Sequence, residues 1–507
     1  MPPRLQLNIL RPASPQRSSW DGDNQDQNNL LAPSIEVLPT GTLKLYKSMQ
    51  AFEFNPRGMI AAATAVAPKQ THSYKISECD VRMLRQLGAG ACGVVHKAWL
   101  PREARFVAVK KISVLDRGSR HQLMNDIKAL CNAPPCDGLV QFHGAYHAAD
   151  RGQIAVVLEY VDGGSLADVI AKVGAVPERI LAPITARVLR ALGALHGRRL
   201  LHRDIKPANV LLTRAGDPRV ADFGISATIP DATLAACHTF TGTVTYMSPE
   251  RVDGLPYGLP SDVWALGLTL LEAVTGKYPY DASAGVMQLM VQVMEEECPL
   301  PAPGAVSPAC RSFLAACLAR DPTKRASIED LLRHPWVAGS GAQGGVLQRT
   351  AMAATLRQFM RCTHDVEEAR GDAVLAACAR FFRALATSGR AGEAGLAPLL
   401  GPTCAVRVGA TEHSGRYTAA KTVEQAMRRG APADVELWVE RVDWKSITED
   451  VVAVTAHLSI HRQGENQGPP LAARAKLHMQ LAGAEEPGPG SATILLLDLG
   501  ELLGVWS

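Results

Sequence analysis

The chain is 507 residues long, carries a net charge of +4 and is 20% charged. That length suits two or more domains with sizeable cores, and the charge gives neither a nucleic-acid binder's basic excess nor an acidic tail. Its eleven cysteines are scattered without metal-ligand pairing and its start lacks a secretory apolar core, which points to a reducing intracellular compartment.

The apolar run 59–68 is too short and too rich in Ala to span a bilayer, so no membrane partner is expected. Residues 1–80 are rich in Pro, Ser, Asn, Gln and Asp. Most of this regulatory region should be disordered, because it buries too little to offset chain entropy. An exception lies within 35–54, where Val37, Leu43, Leu45, Tyr46, Phe52 and Phe54 could dock on a domain surface.

Ordered sequence begins near Val81. Leu87-Gly88-Ala89-Gly90-Ala91-Cys92-Gly93-Val94-Val95 is a Gly-rich turn between strands, suited to closing backbone amides over phosphates. It runs into a strand, whereas a dinucleotide fingerprint would open a helix. Phe106-Val107-Ala108-Val109-Lys110 then ends an apolar strand on a lysine. Leu123, Ile127 and Leu130 form an inward helical stripe with Asp126 beside it. The strand 154–158 leaves as a hinge, Glu159-Tyr160-Val161-Asp162-Gly163-Gly164-Ser165. Backbone groups of Glu159 and Val161 would read adenine, sandwiched by Leu87, Val95, Ala108, Leu158 and Leu211.

Ile180, Ile184, Val188, Leu192 and Leu195 make one helical face leading into His202-Arg203-Asp204-Ile205-Lys206-Pro207-Ala208-Asn209. Asp222-Phe223-Gly224 follows. Each triplet is weak alone, but together and in loop contexts they suit phosphoryl transfer. Asp204 would accept the attacking hydroxyl's proton, Asn209 and Asp222 would hold Mg²⁺, and Lys206 would neutralise charge on the moving phosphoryl group. The stretch 262–274 is apolar nearly all round and reads as a central helix. Glu250 and Arg325 are expected to form a buried structural pair.

Beyond 339–345, a short Gly/Ser/Ala linker, 372–388 is an amphipathic helix carrying Val374, Leu375, Cys378, Phe381, Phe382 and Leu385. Shorter helical stretches at 396–400 and 419–429 precede four strand-like runs, 435–444, 451–461, 472–481 and 493–506. Alternation is clear at Val452, Val454, Ala456, Leu458 and Ile460. Helices followed by a meander suggest an α+β unit. Trp438 and Trp444 would either line a groove there or pack against its helices.

On these residues, 81–337 resembles a protein kinase along its whole length. Tyr246-Met247-Ser248-Pro249-Glu250, Leu130-Cys131-Asn132-Ala133-Pro134 and Phe142-His143-Gly144-Ala145-Tyr146 resemble a MAP kinase kinase. The class with the strongest resemblance is the plant and algal one in which a nuclear-transport-factor-2-like domain follows the kinase. The implied fold class is α+β: a two-lobed kinase at 81–337, a linker at 338–365 and a smaller α+β cone at 366–507 that binds a partner or dimerises.

The resemblance implies ATP and Mg²⁺ as cofactors, with Gly88, Ala89, Gly90, Gly93 and Ser165 also at the nucleotide. Lys110 would pair with the α and β phosphates and with Asp126, which stands where kinases usually have glutamate. It implies dual specificity toward a downstream MAP kinase, activation by an upstream MAP kinase kinase kinase, and a cytoplasmic and also nuclear location. Thr233 and Thr239 have the spacing of the activating pair, and Arg203 is the cation to receive a phosphate. Arg4 with Leu5, Leu7 and Leu10 faintly resembles a MAP kinase docking peptide. Two alternatives stay open: a catalytically weak scaffold, supported by the short Asp126, and an ordinary Ser/Thr kinase.

Overall fold

The structure, a computed structural model, describes most of residues 34–222 and 244–361, and then 366–391, 400–408, 411–414, 435–446, 451–462, 471–481 and 492–498. The docking peptide at Arg4, the threonines 233 and 239, and the helical stretch 419–429 lie outside the described residues.

Part of the region expected to be disordered is instead an antiparallel sheet in the order β1 (Ser34–Val37), β2 (Leu43–Lys47), β3 (Gln50–Asn55), β4 (Gly58–Ala63) and β5 (His72–Tyr74). Composition averaged over 80 residues hid the strands, although the apolar residues within 35–54 do dock on a domain surface as expected. Leu43, Leu45, Phe52, Phe54 and Met59 point inward and are buried, while Lys44 and Glu53 pair on the outer face at 3.1 Å. Each such apolar side chain contributes about 1.5–3 kcal/mol on burial.

Their apolar face covers the amino-terminal lobe. That lobe is a sheet in the order β6-β7-β8-β10-β9, with β6 at Arg82–Gly90, β7 at Gly93–Leu100, β8 at Arg105–Ser113, β9 at Phe142–Ala148 and β10 at Gln153–Glu159. Val107, Val109, Ala155 and Val157 fill one face with Ala98 and Leu100. Ile112, Ile154 and Val156 fill the other, together with Leu123 and Ile127 of the helix that carries Asp126 and with Leu43, Leu45, Phe52, Phe54 and Met59.

The carboxy-terminal lobe is helical. α1 (Leu166–Val173), α2 (Glu178–His196) and α3 (Leu259–Thr275) surround a short hairpin of β11 (Val210–Leu212) and β12 (Pro218–Val220). From Val263 to Leu268 every residue of α3 is buried, as its uniform apolarity requires.

The expected linker 338–365 contains a helix, α4 (Val346–Arg361), whose Leu356 and Met360 are buried in the same core. Gly216, at φ +82°, lets it approach: a Cβ there would lie 2.5 Å from that of Leu356. Two buried apolar side chains make this stretch part of the carboxy-terminal lobe.

The last unit is one long helix, α5 (Val366–Ala391), lying along a six-stranded sheet. In chain order its strands are β13 (Leu400–Val408), β14 (Thr411–Ser414), β15 (Val435–Ser446), β16 (Val451–Arg462), β17 (Leu471–Leu481) and β18 (Ala492–Asp498), and their order in the sheet is β14-β13-β18-β17-β16-β15. Leu400, assigned to a helical stretch, opens a strand, and β13 and β14 went unread because their alternation is broken by Gly401 and Pro402. Val454, Ala456 and Leu458 are buried on the face expected. Trp438 lies between buried Leu437 and Val439 and is half-exposed, so it is not a core anchor.

Candidate active site

The Gly-rich turn joins β6 to β7, and its glycines differ in what they do. At Gly93, φ is +136° and a Cβ would lie 2.1 Å from the Lys111 carbonyl oxygen, so the fold itself requires glycine. At Gly88 and Gly90 a Cβ would meet nothing within 4 Å, so the demand there is for open space above the strands. Leu87 borders this space, and Ala91 and Cys92 lie outside the described residues.

Register places the remaining nucleotide candidates. Val95 stands opposite Lys110, and Ala108 opposite Leu158, so all four share one face of the sheet. Val95, Ala108, Leu158 and Leu211 are each only half-buried, so these apolar side chains keep surface open to a ligand. Glu159 is held by Arg219 Nε at 3.1 Å and by two bonds with the Gln141 backbone, and Val161 is buried beyond it. The Ser165 hydroxyl, assigned to ATP, is committed otherwise. It accepts from the Asp168 amide and donates to the Asp168 carboxylate at 2.7 Å, capping α1.

Lys110 Nζ lies 2.8 Å from Asp222 Oδ1 and 4.0 Å from Asp126 Oδ2. The shorter acid thus reaches only the edge of an ion pair, and the helix has not closed the missing methylene. Burial pushes the Asp126 carboxyl up to about 7; Lys110 opposes this and the Asp222 charge adds to it.

Raised from 3.8 to about 7, this group keeps a proton in the folded state that the unfolded chain has lost. Stability should therefore fall as pH rises between those values. Asp126→Asn should remove that slope, raising the melting temperature at pH 8 and leaving it little changed at pH 4. It should also lower turnover at pH 8 by about tenfold, equivalent to about 1.4 kcal/mol in the barrier. Parallel thermal-unfolding and rate measurements at the two pH values check both halves.

The catalytic loop hangs from a residue that the sequence reading passed over. Asp262, in the first turn of α3, accepts from the backbone amides of His202 (2.9 Å) and Arg203 (2.8 Å) and lies 2.9 Å from His196 Nε2. Burial alone would raise its carboxyl, but these bonds and the neighbouring His202 hold it below the ordinary range. An acid opening an otherwise apolar helix was the available signal. His202 is fully buried and sits 3.0 Å from the Ala221 carbonyl; burial pushes its imidazole below the ordinary range, against the opposing pull of Asp262 and Asp204.

These anchors let Arg203 adopt φ +69° and present Asp204. Lys206 Nζ approaches Asp204 Oδ2 at 2.8 Å. Asn209 Nδ2 donates to the backbone oxygen of Asp204 (2.7 Å) and to its Oδ2 (2.8 Å), so its amide oxygen is the atom that could hold a metal. The Ala221 amide donates to the Asn209 carbonyl at 2.8 Å, which brings Asn209 beside Asp222. Asp222 sits at φ +51°, strained for a non-glycine residue. Partial desolvation would raise its carboxyl, but Lys110 outweighs this and holds it low and charged.

Arg203 and Arg251 both stack on the Tyr257 ring, at 5.3 and 5.1 Å. Nε and Nη1 of Arg203 are buried and find no hydrogen-bond partner among the described residues. Farther down, Glu250 and Arg325 form the expected buried pair, a two-pronged contact with both N–O distances 2.7 Å.

A profile of the protein kinase domain matches residues 81–337. The chain is 41% identical over 302 residues to "Mitogen-activated protein kinase kinase 3" of Arabidopsis thaliana, covering 59% of this chain and 58% of that protein. It is 36% identical over 280 residues to "Mitogen-activated protein kinase kinase 2" of the same plant, covering 54% and 76%. To "Dual specificity mitogen-activated protein kinase kinase dSOR1" of Drosophila melanogaster it is 32% identical, covering 52% and 72%.

Proposed function

From a chain that belongs to the protein kinases, and within them to the MAP kinase kinases, we propose an ATP-dependent dual-specificity kinase that phosphorylates and activates a MAP kinase. Bound Mg²⁺ would supply charge neutralisation at the phosphates, and the donor set fits it: two hard oxygens, from Asn209 and Asp222. Lys110 grips phosphate, and Asp204, oriented by Asn209 and Lys206, takes the proton of the attacking hydroxyl. The observation that carries this reading is the bond from Asn209 to Asp204, joined through Ala221 to Asp222 and Lys110. It brings Asp204, Asn209, Asp222 and Lys110 together, which supports the reading and weighs against a scaffold.

The upstream partner is a MAP kinase kinase kinase acting on Thr233 and Thr239. Each phosphate adds about −1.5 to −2 charge, and the buried, unpartnered nitrogens of Arg203 are the receiving site. The terminal helix-and-sheet unit is a nuclear-transport-factor-2-like cone with a binding role; its long helix lying along a six-stranded sheet supports this.

Transfer of labelled phosphate to a catalytically dead MAP kinase tests the reading, with Thr and Tyr products resolved. Label on both residue types is expected, and label on serine and threonine alone would overturn dual specificity. Replacing Thr233 and Thr239 together by Ala should block activation by the upstream kinase. Full activation of that protein would move the switch elsewhere.

A further inference from the structure

The chain beyond residue 338 is fixed to both lobes. α4 is bound into the carboxy-terminal lobe through Leu356 and Met360. Only residues 362–365 separate it from α5, whose unit is fastened to the amino-terminal lobe. There, the buried Trp99 indole of β7 donates to the Val439 carbonyl of edge strand β15 at 2.8 Å, and Arg82 pairs with Glu440.

One side chain of α5 reaches both lobes. Asp372 Oδ1 lies 2.5 Å from Lys97 Nζ, and Asp372 Oδ2 lies 3.4 Å from Arg214 Nη2. Lys97 belongs to β7, two residues from Val95 and on the same nucleotide-facing side. Its ammonium is 3% exposed and sits 4.7 and 4.9 Å from the Phe106 and Tyr160 ring centres. Tyr160 is itself a hinge residue. Arg214 follows β11 in the other lobe, and its amide donates to hinge residue Asp162 at 2.9 Å.

We propose that Asp372 is a positioning residue for phosphoryl transfer: bridging Lys97 and Arg214, it ties the two lobes beside the hinge and limits how far they open. Two cations facing one another repel, and the carboxylate between them turns that repulsion into a joint. Lobe opening separates Lys97 from Arg214, so it must break this joint. Product release in such enzymes commonly depends on that opening. The terminal unit therefore acts as a brace on nucleotide exchange, and anything that pulls it away from the kinase speeds exchange. This rests on the kinase reading above.

The test uses full-length protein and the dissociation rate of a fluorescent ADP analogue, with ATP KM, kcat and melting temperature measured alongside. Asp372→Asn keeps the shape and removes the charge; ADP release should quicken several-fold and ATP KM should rise. Arg214→Gln breaks the carboxy-terminal half, together with the 3.9 Å contact between Arg214 Nε and Asp162 Oδ2, and should quicken release in the same way. It carries the test if Asp372→Asn does not fold. The double variant should release ADP no faster than the quicker single one, because both act on one joint. Unchanged release with a lowered melting temperature, or effects that multiply in the double variant, would overturn the proposal. A wild-type protein that binds no ADP would instead sink the kinase reading, and this inference with it.

Discussion

Asp222→Ala is expected to cut turnover by about 10²–10³-fold, the scale of losing one preorganised electrostatic group. The substitution removes the carboxylate proposed to hold Mg²⁺ and, among the described residues, the nearest anion to Lys110, which sits 2.8 Å away. ATP affinity should fall less, because the Gly-rich turn, the apolar side chains of Val95, Ala108 and Leu158, and Lys110 itself remain. Turnover and nucleotide binding measured on the same preparation separate the two. Residual activity above about a tenth of wild type would be too much for the loss of such a group and would rule out this role for Asp222.

The largest loss of stability should come from Arg325→Ala, about 3–5 kcal/mol, because removing one partner strands a buried charge. Arg325 donates both prongs to Glu250 and adds bonds to the carbonyls of Ala319, Arg320 and Pro260. Glu250 also accepts from Ser261 at 2.7 Å. Burial would raise the Glu250 carboxyl, yet these donors depress it from 4.5 to about 2. A depressed carboxyl contributes stability above its unfolded value, and that part is lost as pH falls from 4.5 toward 2. Denaturant unfolding should find the double variant Arg325→Met/Glu250→Leu more stable than Arg325→Ala alone, since no charge is then left unpaired. Equal losses would mean the pair's packing, rather than its charge, matters.

Much of the site was legible because phosphoryl transfer needs few residue types at fixed short-range spacings. The spacing from His202 to Asn209 and the Asp222 triplet picked out Asp204, Asn209 and Asp222, which the structure brings together, and the registers of β7, β8 and β10 put Val95, Ala108, Lys110 and Leu158 on one face. What escaped depends on long-range contact. Asp262 acts on residues about 60 positions earlier, which no local pattern encodes. Ser165 looked like a nucleotide contact because its role as a cap depends on Asp168 turning back to it. The apolar residues within 35–54 were expected to dock on a domain surface and do so, but the strands that carry them were lost in the average polarity of the region, and α4 in the apparent looseness of a linker. Lys97 reads as an ordinary surface lysine until Asp372, far along the chain, arrives beside it.

The sheet β1–β5 raises a problem of timing during synthesis. Leu45 and Phe52 leave the ribosome about a hundred residues before Ile154 and Val156, the last strand positions of the core they share. At about 5–20 residues per second this apolar surface waits roughly 5–20 s before the core it shares with Ile112, Leu123, Ile127, Ile154 and Val156 is complete. During that interval, nascent chains are vulnerable to sticking to one another, and a holding chaperone should bind them before residue 156 emerges. Polar replacements at Leu45 and Phe52 would relieve the nascent chain of that hazard at the expense of the finished lobe. Yield from the ribosome and stability of the mature kinase therefore pull these two positions in opposite directions.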